Sequence, residues 1–179
     1  MLRQNALRLA LCLLALSTAA RAQTDFVAPS DVIWEKDIEY ANVDGVSLAF
    51  DVLKPAERPA GRIPVILYIH GGGFTKGSKE EGLSRNLPFA QAGYYTVSIN
   101  YRLAPTYTFP APIEDCKAAV RYLRANARRL GIDPQKIGAW GTSAGGSLVA
   151  LLGTSAGVKE IAGTENLGYS SRVQCVVDG

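Results

Sequence analysis

The residues best suited to chemistry form the run Gly141-Thr142-Ser143-Ala144-Gly145. The glycines two positions before and two positions after Ser143 remove the side chains that would collide in a very sharp turn between a strand and a helix. A strand-like segment leads into this run, and small and apolar residues that favour a helix follow it. A serine at the top of such a turn is exposed, and its hydroxyl can attack an acyl carbon when a general base removes its proton. The pattern therefore predicts that Ser143 is a nucleophile.

Three consecutive glycines, Gly71, Gly72 and Gly73, follow a short apolar run at residues 63–69. Because glycine has no side chain, the backbone amides of such a run stay open and can donate hydrogen bonds to the oxyanion of a tetrahedral intermediate on Ser143. A bulkier residue in place of Gly72 is expected to lower turnover more than it disturbs folding. The two motifs together predict acyl transfer.

The general base that such a serine needs is not evident in the chain. Its one histidine, His70, ends an apolar strand and adjoins the glycine run, so we interpret it as a hydrogen-bonding member of the glycine loop rather than as the base. In hydrolases with this serine turn, the acid and the histidine follow the serine along the chain. Asp178, after the last predicted strand, is interpreted as a structural or solvated carboxylate. We therefore expect the acid and the base to lie beyond Gly179 and the chain by itself to be inactive.

Strand and helix signals alternate along the chain after an initial hairpin. The predicted strands are residues 32–43, 46–53, 63–69, 94–100, 136–140 and 172–177, and the predicted helices are residues 87–92, a long helix from Pro112 to Gly131, and a helix that includes residues 148–152. This alternation indicates a mainly parallel sheet with right-handed crossovers. In such sheets the chemistry lies at the carboxyl ends of the strands, where both motifs fall.

Four motifs in the chain resemble those of the α/β-hydrolase fold, and more narrowly those of the hormone-sensitive-lipase-like and bacterial feruloyl or acetyl-xylan esterase group. They are His70-Gly71-Gly72-Gly73-Phe74, Tyr101-Arg102-Leu103-Ala104-Pro105, Phe109-Pro110-Ala111 with Glu114-Asp115, and Gly141-Thr142-Ser143-Ala144-Gly145-Gly146. The resemblance begins near residue 32 and implies an α/β-hydrolase domain truncated after about the sixth strand. Tyr101 and Arg102 are expected to brace the loops from beneath. Ser147 departs from the pattern, since family members often have histidine or asparagine there.

The resemblance also implies the roles of the site residues. Ser143 would be the nucleophile, and the amides of Gly72, Gly73 and Ala144 would form the oxyanion hole, with Gly71 as a further contributor. The implied function is that of a serine carboxylesterase acting on small acyl esters, including acetyl or feruloyl esters of plant polysaccharide. No cofactor is expected, and no group of histidine, cysteine and carboxylate residues has the spacing of a metal site.

Three other functions compete with this interpretation. A phosphate-binding loop at residues 71–77 fails, because Gly77 is followed by Ser78-Lys79 where that motif needs lysine first and serine or threonine second. A serine peptidase of the prolyl-oligopeptidase type shares the serine turn but usually has a propeller domain upstream, for which the chain has no room. A non-catalytic binding protein with the hydrolase fold would suit a chain without a base.

Residues 1–22 have the pattern of a secretory signal. Arg3 and Arg8 give a positive start, residues 9–16 form an apolar run, and the segment ends in a small-x-small pattern at Ala22. The apolar run is shorter than the ~20 residues that span a bilayer, so no membrane anchor is expected after cleavage. We predict a secreted or periplasmic protein in which residues 23–179 are the N-terminal part of a single α/β-hydrolase domain.

The charge of the chain does not indicate nucleic-acid binding. The chain has 19 basic and 16 acidic residues, and removal of the signal with its three arginines leaves 16 of each. Four arginines recur on the long predicted helix, and we interpret them as a solvated face; they are Arg121, Arg124, Arg128 and Arg129.

Cys116 and Cys175 occupy apolar positions and are predicted to be buried free thiols.

Overall fold

The computed structural model describes residues 26–179, so the predicted signal at residues 1–22 lies outside the described residues. A six-stranded mixed sheet forms its centre, in the order β1-β2-β4-β3-β5-β6. The strands are β1 (Val32–Val43), β2 (Val46–Pro55), β3 (Ile63–Ile69), β4 (Tyr95–Ile99), β5 (Ile132–Gly141) and β6 (Cys175–Asp178). The helices are α1 (Leu83–Gln91), α2 (Ala111–Ala125), α3 (Ala127–Leu130) and α4 (Ala144–Thr154), with 3-10 turns at Lys79–Gly82 and Lys159–Ile161.

The predicted hairpin is present as the antiparallel pair β1 and β2. Its turn places Asp44 at φ 53° and Gly45 at φ 82°, a left-handed pair that suits the twist of the flanking strands. β1 also contains a bulge between Glu35 and Ile38, where Asp37 has φ 54°. The bulge turns the backbone of Asp37 towards β2, which becomes important for a buried lysine described below.

The centre of the sheet is parallel, as the alternation of elements predicted. β3 pairs in parallel with β4 on one side and with β5 on the other, and β5 pairs in parallel with β6. β2 joins this parallel part in antiparallel pairing with β4. The register sets Ile69, the last residue of β3, beside Gly141, the last residue of β5. Two neighbouring strands therefore end at the same level, and the loop that follows each one starts at the same edge.

The predicted long helix is divided into α2 and α3 by Asn126. Gly131 ends α3 in a left-handed conformation with φ 72°, which glycine adopts without strain. The apolar residues at helical spacing all face the core, as predicted; they are Ile113, Cys116, Val120, Leu123 and Ala127.

The basic residues of α2 do not form the predicted solvated face. Arg121 is buried and donates hydrogen bonds to the carbonyl oxygens of Ala162 and Glu165, at 2.6 and 2.7 Å. Arg124 is half-buried and donates to the carbonyl of Pro134 at 3.1 Å and to carbonyls of the segment before β6. The prediction was wrong for Arg121 and Arg124, because the irregular segment between α4 and β6 has carbonyls that need donors and these two side chains supply them. It holds for Arg128 and Arg129, which are exposed.

The two cysteines of the described residues differ in environment. Cys116 is buried and free, as predicted, and burial raises the pKa of its thiol. Cys175 is free but exposed, so the prediction that it is buried was wrong. It starts β6, which pairs only with β5 within residues 26–179.

In this part of the chain, no helix has both the length and the apolar character that crossing a membrane requires.

Candidate active site

Ser143 lies on a strained turn between β5 and α4. Its backbone has φ 56° and ψ −122°, a conformation that a residue with a side chain rarely adopts, and its side chain is exposed. Hydrogen bonds hold the turn: the amide of Gly145 donates to Thr142 O at 3.0 Å, and the amide of Ser147 donates to Ser143 O at 3.0 Å. Strain of this kind persists only where the surrounding structure fixes it, and it is common at functional sites. The geometry fits the predicted role of Ser143, which stays a prediction.

The glycines around Ser143 are required by close backbone approaches. A Cβ at Gly145 would lie 2.1 Å from the carbonyl oxygen of Ile69 and 2.7 Å from that of His70. A Cβ at Gly141 would lie 2.6 Å from the backbone of Gly145. The start of α4 therefore packs directly on the end of β3, and a side chain at either position would push the two apart.

The glycine loop after β3 meets the serine turn from the other side. A Cβ at Gly71 would lie 2.9 Å from Thr142 O and 3.4 Å from the Cβ of Ser143. The structure therefore brings together the two motifs that the sequence analysis placed at one edge of the sheet. Asp178 also approaches this turn, because a Cβ at Gly146 would lie 1.9 Å from its Oδ1 atom.

Two amides of the glycine loop have no hydrogen bond to a backbone carbonyl among the described residues. Gly72 O accepts hydrogen bonds from the amides of Thr75 and Lys76, both at 3.2 Å, whereas the amides of Gly72 and Gly73 have no carbonyl partner among the described residues. Ala144 is the first residue of α4, where a helix leaves its amides without an intrahelical acceptor. These donors are the ones that the sequence predicted for an oxyanion hole, and that role also stays a prediction.

The expectation for a bulkier residue at Gly72 has to be corrected. Gly72 has φ 106°, and a Cβ there would lie 2.0 Å from the carbonyl oxygen of Lys76. That contact would be with the backbone of the same loop. A substitution would therefore disrupt the conformation of the loop and would not only lower the turnover of the enzyme. Gly73 has φ 63° and open space around it.

His70 is buried beneath the glycine loop. Its Nδ1 atom lies 2.8 Å from Gly71 O, and its ring stacks on Tyr101 with centroids 4.3 Å apart. Its Nε2 atom has no hydrogen-bond partner within residues 26–179. Burial lowers the pKa of His70 although the bond to Gly71 opposes the shift. A neutral imidazole whose Nδ1 proton is donated to the loop agrees with our interpretation of His70 as a loop residue.

Tyr101 and Arg102 support the loops from below. The hydroxyl of Tyr101 donates to His70 O at 3.0 Å. The guanidinium of Arg102 makes a buried ion pair with Asp115, with Nε and Nη2 at 3.0 and 2.8 Å from Oδ1, and the Arg102 amide donates to Asp115 Oδ2 at 2.8 Å. The contacts of Arg102 join the segment after β4 to α2, and the contact of Tyr101 joins the same segment to the residue after β3.

Two cavities of the described residues lie away from Ser143. One of about 260 Å³ is lined by charged residues that include Asp44, Arg102, Glu114 and Lys159. Neither the serine nor the predicted oxyanion-hole residues line it. The 26–179 segment contains no group of three or more histidine, cysteine or carboxylate residues placed to hold a metal ion. The described residues thus place an exposed serine against the glycine loop, away from this cavity.

Comparison with known proteins gives the family. The BD-FAE family model matches residues 50–179. The carboxylesterase NlhH of Mycobacterium tuberculosis is 42% identical over 95 residues, which are 50% of this chain and 28% of that protein.

Two solved structures have similar folds. The esterase Est2 of Thermogutta terrifontis is 31% identical with a TM-score of 0.72, over 83% of this chain and 52% of that chain. A truncated carbohydrate esterase from gut microbiota is 32% identical with a TM-score of 0.73, over 82% of this chain and 55% of that chain. These likenesses confirm the α/β-hydrolase fold and the relationship to esterases. The chain spans about half the length of these solved esterases and less of NlhH.

Replacement of Gly145 by alanine tests the contact between the serine turn and β3. Because the new Cβ would meet two backbone carbonyls, we expect Gly145→Ala to lower the free energy of unfolding by about 1–3 kcal/mol. Gly157→Ala is the matched control, since a Cβ at Gly157 meets nothing within 4 Å. Urea unfolding of the two variants measures the difference. Equal stability of both variants would mean that the turn and β3 are not in contact.

The titration of His70 tests its buried, neutral state. The ordinary pKa of histidine is about 6.5, and burial lowers the pKa of His70. The folded protein therefore binds a proton less readily than the unfolded chain, so this contribution to stability is fully present above about pH 6.5 and decreases as the pH falls below it. As the only histidine of the chain, it can be followed by NMR in this chain. A pKa at or above 6.5 would contradict the assignment.

Proposed function

The chain belongs to the BD-FAE family, and we propose that the protein hydrolyses small acyl esters through an acyl-enzyme on Ser143. The observation that carries the proposal is the exposed Ser143 at φ 56°, in backbone contact with a loop whose Gly72 and Gly73 amides have no carbonyl partner among the described residues. An acyl-transfer site needs a nucleophile and preorganised donors for the developing oxyanion. The named esterase relatives support the same reaction class.

The proposed reaction has two steps. In the first, the Ser143 oxygen attacks the ester carbonyl carbon while its proton passes to a general base, and the amides of Gly72, Gly73 and Ala144 stabilise the oxyanion. The intermediate collapses when the bond to the alcohol oxygen breaks, and the base returns the proton to that oxygen. In the second step, water attacks the acyl-Ser143 ester in the same way and releases the carboxylic acid.

We propose that a histidine other than His70 is the base. His70 is buried, its Nδ1 atom contacts Gly71 O, and burial favours its neutral form. It makes no hydrogen bond to Ser143 within the described residues. Since the chain has one histidine, this base and its carboxylate would come from beyond residue 179. Asp178 is exposed beside Gly146 and keeps its interpretation as a structural or solvated carboxylate.

The proposed substrates are acetyl or feruloyl esters of plant polysaccharide. The structural likeness to a carbohydrate esterase supports this class. Export through the predicted signal would place the protein with such substrates. N-terminal sequencing of exported protein tests whether the signal is cleaved, with Gln23 as the expected first residue.

A non-catalytic binding protein is the second candidate, and the hydrogen bonding of His70 within the loop favours it. Assays of acetate and ferulate release from acetylated and feruloylated xylan distinguish the two candidates. Binding of the polysaccharide with no release of acid would favour the binding protein.

The decisive variant for the enzyme is Ser143→Ala, assayed with p-nitrophenyl acetate in the full-length protein. We expect its kcat/KM to fall by at least about 10³-fold, because no other nucleophile forms the acyl-enzyme. Ser147→Ala is the control, since Ser147 is exposed one helical turn further along α4. Retention of most activity in Ser143→Ala, or an equal loss in both variants, would contradict the proposal.

A further inference from the structure

Lys79 is a buried lysine at the end of the glycine loop, and its ammonium group meets three carboxylates. Its Nζ atom lies 2.8 Å from Asp37 Oδ1, 2.7 Å from Asp51 Oδ1 and 2.7 Å from Glu80 Oε1. An ammonium group has three donors, so each one has its own acceptor. The side chain of Lys79 is 5% exposed and that of Asp51 is 1% exposed, whereas that of Asp37 is 74% exposed.

The carboxylate of Asp51 is itself held in place. Its Oδ2 atom accepts a hydrogen bond from Trp34 Nε1 at 2.9 Å, and its Oδ1 atom accepts one from the amide of Asp37 at 2.9 Å. The bulge in β1 makes the second bond possible, because Asp37 at φ 54° turns its amide towards β2. Burial by itself would lower the pKa of Lys79, but the hydrogen bonds with Asp37, Asp51 and Glu80 outweigh it and raise the pKa. The lysine is therefore charged in the folded protein.

The backbone of Lys79 is also held by hydrogen bonds. Its amide donates to Asn100 Oδ1 at 2.8 Å, and its carbonyl accepts from Ser98 Oγ at 2.6 Å. These partners lie at the end of β4, next to β3. Lys79 is thus attached through its amide, its carbonyl and its ammonium group to β1, β2 and the end of β4.

The fixed position of Lys79 determines where the glycine loop can lie. Gly77, two residues earlier, has φ 108° and packs so closely on the loop base that a Cβ there would lie 2.3 Å from His70 Nδ1 and 2.8 Å from Gly71 O. The loop of residues 71–78 is therefore held at one end by β3 and at the other by Lys79. Between these ends are the amides of Gly72 and Gly73.

We propose that Lys79 is a positioning residue that holds the loop of residues 71–78 so that the amides of Gly72 and Gly73 face the oxyanion above Ser143. Lys79 does not itself contact the substrate in this role. The proposal deepens the proposed esterase function and rests on it. This role of Lys79 could not be predicted from the sequence, because two of its three acceptors lie about 30 to 40 residues away, on the β1–β2 hairpin.

Hydrogen exchange tests the positioning without any assay of activity. In Lys79→Met, we expect the amides of Thr75 and Lys76, which are hydrogen-bonded to Gly72 O, to exchange at least about tenfold faster than in the unchanged protein, with smaller changes in β3 and β5. Lys54→Met is the matched control, because Lys54 also pairs with a carboxylate on the hairpin, Glu35 at 2.6 Å, but does not contact the loop. No increase in the loop, or an equal increase throughout the sheet, would overturn the proposal.

Asp37→Asn is the milder variant if Lys79→Met does not fold. Asparagine tolerates the left-handed conformation of residue 37, and the exposed position accepts the change. It removes one of the three charges that hold the ammonium group, so exchange in the loop should increase in the same direction by a smaller factor. Unchanged exchange in a folded Asp37→Asn variant, with Lys79→Met unfolded, would also overturn the proposal.

Turnover per active site separates positioning from general stability. In the full-length protein, active sites are titrated to completion with paraoxon, and kcat is expressed per titrated site. We expect Lys79→Met to lower this kcat about 10- to 100-fold with KM changed less than about threefold, since a displacement near 1 Å can cost about 10² in rate. An unchanged kcat per site would make Lys79 merely structural. If the unchanged protein hydrolyses no ester, the proposed function fails, and the exchange measurement still decides whether Lys79 holds the loop.

Discussion

The close packing of the serine turn on the end of β3 is the constraint on which the site depends. The carbonyl oxygen of Ile69 occupies the space that a side chain at position 145 would need. This contact is possible because β3 and β5 are parallel neighbours that end at the same level, Ile69 beside Gly141. The two loops then start from adjacent points, and Gly71 brings the first loop against Thr142 in the second.

The backbone conformations at the site are costly and are held from beneath. Ser143 and Phe74 both have positive φ, at 56° and 63°, although neither is glycine. Each such conformation costs about 1–3 kcal/mol and persists only where surrounding contacts hold it. The supporting contacts are polar and buried: Tyr101 to the carbonyl of His70, and Arg102 to Asp115. The ion pairs of Lys79 add a third support in our proposal. A rigid rim of this kind provides donors that need no reorganisation during a reaction.

Local patterns in the sequence predicted the features that depend on local sterics. Glycine spacing indicated the sharp turn at Ser143, Asp44-Gly45 indicated the hairpin, and apolar spacing indicated the buried stripe of α2. Features that depend on distant partners were not predictable in this way. Arg121 is buried because carbonyls some 40 residues away require its guanidinium.

The same limit applies within the site. The sequence indicated that Gly72 frees an amide, but not that Gly72 packs on the carbonyl of Lys76, since that contact depends on the path of the whole loop. Cys175 has the apolar neighbours of a buried strand, yet it lies on an exposed edge. Burial at an edge depends on which strand lies beside it, and periodicity does not contain that information.

The most direct test of the account is to identify the residue that forms a covalent bond with an acyl-like electrophile. The full-length protein is treated with paraoxon, digested, and analysed by mass spectrometry for the diethylphosphoryl group. The account predicts one modified residue, Ser143, and no adduct on Ser147 in the same peptide. Modification of another residue, or none in a protein that hydrolyses p-nitrophenyl acetate, would contradict the assignment of Ser143 as the nucleophile.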